Sequence, residues 1–197
     1  MKKTGIVVAI VVIVVAFFWG ISVNNKLVAA EESVAKAWSQ VENVYQRRND
    51  LIPNLVNTVK GAADFEQSTL SEVIEMRANA NALKLDADNL TESGIAAFQN
   101  AQDQLSSAIG KAINLTVERY PELAATQAFR DLQVQLEGTE NRISVERGKF
   151  NDVVLSYNTL LRKFPNNLIA GLLGFEKKSF FSAVPGAQTP VNVNFEF

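Results

Sequence analysis

From Gly5 to Val23 the chain carries 19 consecutive residues without a charge, and this run passes into strongly helical sequence with no flexible linker. At about 1.5 Å per residue, a helix of that length measures about 28 Å, close to the roughly 30 Å hydrocarbon thickness of a bilayer. The sequence therefore predicts a membrane anchor over residues 1–23 whose direction is handed on to the rest of the chain. A cleaved leader is the rival reading, because Val28-Ala29-Ala30 offers a peptidase small residues. The apolar stretch is longer than the roughly 7–15 residues of a leader core, and the candidate cleavage point lies seven residues beyond it. Lys2 and Lys3 with the amino terminus outweigh Lys26 and Lys36 on the far flank, which favours a cytoplasmic amino end and a body outside the cytoplasm. Trp19 falls near the far end of the span, where an indole suits the interface.

Within the span, Gly5, Ala9, Ala16 and Gly20 share one narrow stripe at helical spacing. Small residues so placed let membrane helices approach closely, so the stripe is a candidate surface for homo-oligomer formation. Gly and Ala are also common in membrane helices without any such role.

The remaining residues, about 170, suffice for one domain with a sizeable core. A formal charge of −2 and a pI near 5.3 leave no basic face for phosphates, which excludes nucleic acid as a partner class. The chain has neither cysteine nor histidine. Their absence removes disulfides, thiolate and Ser-His-Asp nucleophiles, most zinc and copper sites, and the Glu-x-x-His signature of di-iron bundles. No cofactor is called for.

Helical period dominates up to about residue 164. Leu27, Val34 and Val41 repeat at seven, with Ala30, Ala37 or Trp38, and Val44 or Tyr45 in the alternate places, a coiled-coil-like pattern continuous with the span. Pro53 predicts a kink, or a restart capped by Asp50, with the helix ending near Gly61 or Ala62. A second helix is expected from Asp64 to Leu83, and Lys84 to Leu90 as a connector. A third starts at Thr91 with Ile95, Phe98, Leu105, Ile109, Ile113 and Val117 as its buried stripe. A fourth runs from Glu122 to Phe164 with Phe129, Leu132, Leu136, Ile143, Phe150, Val153 or Val154, Tyr157 and Leu161 inward. Long helices joined by short turns predict an all-α fold, an elongated antiparallel four-helix bundle over residues 24–164.

Residues 165–197 read as a short helix and an extended tail. The stretch Leu168 to Phe181 is expected to fold back on the bundle end, with membrane contact as the alternative. From Val191 to Phe197 apolar and polar residues alternate, a strand signal in an otherwise helical chain. Val191, Val193, Phe195 and Phe197 are thus candidates for docking on a neighbouring protomer or partner; a loosely draped tail is the alternative.

The block Gln46-Arg47-Arg48-Asn49-Asp50-Leu51-Ile52-Pro53-Asn54-Leu55-Val56-Asn57-Thr58-Val59-Lys60-Gly61 resembles the signature of the LemA family of bacterial membrane proteins. A second block agrees, from Leu136-Glu137-Gly138-Thr139-Glu140-Asn141-Arg142-Ile143 through Arg147, Phe150-Asn151 and Tyr157-Asn158 to Phe164-Pro165. A third lies in Leu168-Ile169-Ala170, Gly174-Phe175 and the tail from Pro190. The resemblance implies an amino-terminal membrane helix followed by a four-helix bundle, in a family whose general role is unsettled. One relative takes part in building bacterial magnetosomes, and no enzyme activity carries over. Asn49 stands where the family often has histidine.

Read from the residues, Arg47, Asp50, Asn54 and Asn57 line one helix face, with Leu51, Leu55 and Thr58 beside it and Ile52, Val56 and Val59 on a third side. The polar stripe is either a binding surface or a ladder that sets register against Glu137, Glu140, Arg142 or Arg147, and the ladder is preferred because buried charges must be paired. Replacing Arg48 or Arg142 would then leave a carboxylate uncompensated. Glu137 and Glu140, facing Glu66, Glu72 and Glu75, are an acid-base or cation-site candidate; ordinary solvated glutamates are the preferred reading. The preferred function is a non-catalytic scaffold or adaptor, anchored in the inner membrane by a single pass, with the lipid bilayer, its own copies and other envelope proteins as partners. The alternative is a ligand-sensing or regulatory protein linked to envelope stress or a membrane protease.

Overall fold

The computed structural model describes residues 2–60 and 66–182, and all regular structure there is helical. Helix α1, Lys2–Val59, is one element of 58 residues. It is followed by α2 (Gln67–Ala82), a 3-10 turn at Ala87–Asn89, α3 (Glu92–Arg119), the single turn α4 (Pro121–Ala124), α5 (Gln127–Arg162) and α6 (Asn166–Leu173). The span and the first bundle helix are thus one continuous helix, and Pro53 lies inside it without a restart at Asp50. Proline removes only the hydrogen bond to the carbonyl of Asn49. Packing of the inward face around it offsets that loss, since Ile52 and Leu55 are each 1% exposed.

Side-chain pairs define how the helices run. Tyr157 meets Glu31 and Arg48 meets Glu140, so α5 runs back along α1. Lys111 meets Glu72 and Arg119 meets Glu66, so α3 runs back along α2. Asn49 bonds Asn81, joining α1 to the end of α2. The buried apolar residues form two clusters. One, nearer the span, gathers Leu27, Val34, Trp38, Val41, Phe98, Phe150 and Tyr157; the other, farther away, gathers Ile52, Leu55, Val59, Leu105, Phe129 and Leu136. Leu27, Val34 and Val41 are fully buried, as their repeat at seven predicts.

Several expected details change. The expected fourth helix is two helices, divided at Ala125 and Thr126. Thr126 takes extended backbone angles, and its hydroxyl donates to the Leu123 carbonyl at 2.7 Å while accepting from the Phe129 amide at 3.3 Å. One side chain therefore closes α4 and caps α5, the competition with helix that threonine is prone to. Thr126→Ala should lower stability by about 1 kcal/mol, read from the urea midpoint, with the larger share of the loss at the start of α5.

In α3 the inward stripe advances by alternating four and three residues, through Leu105, Ile109, Ala112 and Thr116. Val117 consequently faces solvent at 49% exposure, because the assumed steps of four drift around a helix of 3.6 residues per turn. In α5, Val154 is buried and Val153 half-buried, while Phe164, beyond the helix end, is 80% exposed. Helix α2 begins at Gln67 rather than Asp64 within the described residues. The fold-back helix stops at Leu173, where Gly174 takes a left-handed φ of 78°. That conformation suits glycine because no Cβ opposes it. From Phe175 to Ser182 the chain is a non-helical strap.

Candidate functional site

The inward stripe of α1 continues past Val41 by a further seven residues, and the residue it reaches is Arg48. Another seven reach Leu55, so a guanidinium stands in a row of apolar core positions, between the two clusters. Arg48 is 1% exposed. Its Nη1 donates to Glu140 Oε1 of α5 at 2.9 Å and to the Ser106 hydroxyl of α3, and its Nη2 donates to the Gln102 carbonyl at 3.2 Å and to the Gln102 side-chain oxygen. Ser106 also donates to both Glu140 oxygens, at 3.2 and 3.3 Å. The Arg48 guanidinium lies 5.1 Å from the Tyr45 ring centre. Burial raises the Tyr45 hydroxyl above its usual pKa, against the lowering effect of Arg147 and Arg48.

This cluster ties three helices at one level. A buried ion pair adds little net stability over apolar packing, but it penalises every register that leaves the charge unpaired. The cluster suits alignment better than catalysis: the hydroxyl bonded to the carboxylate, that of Ser106, is also engaged by the cation, which draws on the lone pair a nucleophile needs. Among the described residues no acidic group of three or more is arranged to hold a metal ion. Glu66, Glu72 and Glu140 each face a cation rather than one another.

A groove of about 600 Å³ opens beside the cluster, lined by Asp103, Ser106, Glu140, Ser144, Arg147 and Phe181 among others. Arg147 lies 3.5 Å from Asp103, stacks 4.9 Å from the Phe181 ring centre and donates to the Ser182 carbonyl at 3.1 Å. The strap reaches this groove held by three side-chain amides. Asn158 bonds both the amide and the carbonyl of Lys178, at 3.1 and 2.8 Å. Asn151 does the same with Phe181, at 2.9 and 3.0 Å, and Gln99 with Ser182, at 3.0 and 3.2 Å. Each amide supplies the paired donor and acceptor that a neighbouring strand would otherwise provide. Lys178 is buried, with its ammonium 3.0 Å from Glu31 and donating to the Asp88 carbonyl at 2.7 Å.

The sequence-predicted residues divide sharply. Arg47, Asp50, Asn54 and Asn57 face solvent instead of forming a ladder with α5; they occupy the helix face opposite the stripe that carries Arg48, Ile52 and Leu55. Asp50 accepts from Gln46 on its own helix at 2.7 Å, and Glu137 from Gln133 at 2.9 Å. Arg142 is exposed. Only Arg48, Glu140 and Arg147 enter the cluster and its groove. In the span, a side chain at Gly5 would meet nothing within 4 Å, while Gly20 faces Ile169 of α6 and Ala16 lines a groove with the same helix. The side chain of Ala9 and the tail residues Val191, Val193, Phe195 and Phe197 lie outside the described residues. Sequence reasoning missed Gln102, Ser106 and the strap-holding role of Asn151 and Asn158. The last two are seven apart, a spacing that puts them on one face of α5.

The chain is similar to several known proteins. It is 26% identical over 188 residues to magnetosome protein MamQ 2 of Paramagnetospirillum magneticum, covering 85% of this chain and 67% of that protein. It is 25% identical over 187 residues to magnetosome protein MamQ of Magnetospirillum gryphiswaldense, with 85% and 67% covered. With Protein LemA of Metamycoplasma hominis it shares 22% identity over 174 residues, covering 88% of this chain and 75% of that one. These matches point to no catalytic family. The LemA family model matches residues 37–195, which include the Arg48 cluster and the strap, and the chain belongs to the LemA family.

Proposed function

We propose that this protein is a membrane-anchored, non-catalytic scaffold or adaptor of the bacterial cell envelope, which assembles with its own copies and presents its helical body to other envelope proteins. The observation that carries this reading is the continuity of α1: the charge-free run and the helix bearing Arg48 are a single 58-residue element. A helix of that length extends about 87 Å. With no hinge between span and bundle, the body is held at a set orientation to the bilayer, as a surface that organises partners requires. The exposed polar face of Arg47, Asp50, Asn54 and Asn57 gives such a rod a hydrophilic side for contacts. The relatives named for the magnetosome, an assembled cellular structure, support an assembly role. In this reading Gly5–Val23 crosses the inner membrane and the bundle stands outside the cytoplasm.

Light scattering on the full chain in mild detergent tests the assembly. A defined oligomer is expected, and it should appear in native membranes as cross-links between copies. A monomer that yields no cross-linked envelope protein would overturn the scaffold. A monomer that instead takes up a small polar ligand in the Arg147 groove would favour the sensing alternative.

A further inference from the structure

Helix α6 is too short and too apolar on its outer side to be explained by the bundle alone. Its inner side is accounted for: Ala170 is buried, and Ile169 faces Gly20 of α1 in a groove of about 450 Å³ that Ala16, Phe17, Ile21 and Asn24 also line. Its outer side is not. Phe164 and Leu172 are each 80% exposed, Leu168 60% and Leu173 52%. Four large exposed apolar side chains thus fall within about ten residues, a density of the kind that marks an interaction site.

The level of α6 along α1 names the occupant. Val23 is the last apolar residue of the run, and the polar Asn24, Asn25 and Lys26 follow. Gly20 and Ala16 then lie about 5 and about 10 Å inside that boundary. A helix packed against Ala16 to Asn24 is therefore alongside the outermost turns of the span, in the same apolar layer. Trp19, at the same level, is 37% exposed, as suits an indole at a headgroup boundary. Exposed cations bracket the patch, with Arg162 and Lys163 before α6 and Lys177 after it, against one exposed carboxylate, Glu176. Apolar side chains beside a cationic rim are what an interfacial helix presents to anionic lipid.

We propose that α6 is a second membrane element, lying in the leaflet nearest the bundle, with Phe164, Leu168, Leu172 and Leu173 among lipid acyl chains and Arg162, Lys163 and Lys177 at the headgroups. The inference rests on Gly5–Val23 spanning the bilayer. With α6 inserted, the protein touches the membrane at two non-collinear elements, so the body cannot spin or tilt freely about the span. The upper part of the small-residue stripe then serves α6 of the same chain, as Gly20 facing Ile169 requires.

Because the chain has no cysteine, single labels are readily placed. Nitroxides at Val12→Cys in the span, Leu172→Cys in α6 and Val134→Cys on the bundle are compared in the full chain, reconstituted in phosphatidylcholine–phosphatidylglycerol vesicles, by relaxation with oxygen and with a water-soluble nickel chelate. Val12 and Val134 are 61% and 67% exposed and serve as lipid and water references. The expected result is oxygen-dominated relaxation at Leu172, grouping with Val12 and several-fold apart from Val134. If Leu172 behaves as Val134 while Val12 remains in lipid, the anchor stands and the inserted α6 is overturned. If Val12 itself is reached by the nickel chelate, the anchor reading falls, and the α6 inference with it. Shielding of Leu172 from both relaxants, with disulfide-linked dimers of Leu172→Cys, would replace lipid by a second copy and also overturn it.

Discussion

Arg48→Ala should lower the stability of the full chain by about 3 kcal/mol, one of the two largest losses expected of any single substitution here. Little of that loss comes from the carboxylate, because the Glu140 side chain is 41% exposed and regains water when its partner leaves. Most comes from α3. Gln102, 3% exposed, loses the donor to its side-chain oxygen, while its carbonyl, inside α3, keeps its helical bond; a buried acceptor without a partner costs about 1–3 kcal/mol. The truncation also opens a void beside Tyr45, whose ring faces the guanidinium. Arg48→Met should refill the void and recover part of the loss, leaving the unpaired Gln102 side-chain oxygen as the remainder. Urea unfolding followed by helical circular dichroism measures both. A loss below about 1 kcal/mol for Arg48→Ala, the level of an ordinary surface change, would remove the cluster as a stabilising element.

Trp38→Ala should cost about 3–5 kcal/mol, the range for deleting a large buried aromatic. Trp38 is 1% exposed, with its ring 5.3 Å from Phe98 and 5.6 Å from Phe150, both edge-on, and stacked 6.0 Å from Phe181. Such ring pairs add to the area they bury. The substitution therefore acts on two links at once: it empties the core nearer the span and removes the aromatic floor under the strap. The strap keeps its amide clamps from Asn158, Asn151 and Gln99 but loses the packing that excludes water from them. Hydrogen exchange at the amides of Lys178, Phe181 and Ser182 should accelerate beyond the global loss of stability. Equal acceleration there and across α2, which lies in the other cluster, would show that the strap does not depend on this stack. Val134→Ala, at 67% exposure, is the comparison and should stay within about 0.5 kcal/mol.

Much of the architecture is legible without coordinates because it rests on periodicity. Leu27, Val34 and Val41 repeat at seven and are fully buried, and Thr91 starts α3 where its capping chemistry says it should. The misplaced details come from rules that hold locally and lose to neighbours. Pro53 is a helix breaker in isolation, yet α1 passes through it because a long helix packed along its inward face tolerates one missing bond. Thr126 carries no strong break signal by itself; a turn forms because its hydroxyl finds both a carbonyl and an amide to satisfy. The outward placement of Arg47, Asp50, Asn54 and Asn57 was open from spacing alone, since a polar stripe looks the same whether it meets water or another helix.

The sequence by itself determined a long apolar amino-terminal helix joined without a linker to amphipathic helices, the absence of cysteine and histidine chemistry, and membership of a family through ordered motif blocks. Those properties are local or compositional, and local periodicity carries them whatever the partner. Only the tertiary structure decided that Arg48, not the stripe beside it, is the buried charge of α1, that Gln102, Ser106 and Glu140 receive it, and that α6 returns to the last turns of the apolar run. These pairings join residues far apart in the chain, and the reason they form is physical. A buried guanidinium accepts only those helix registers that bring it enough acceptors, and no reading of one helix at a time contains that condition.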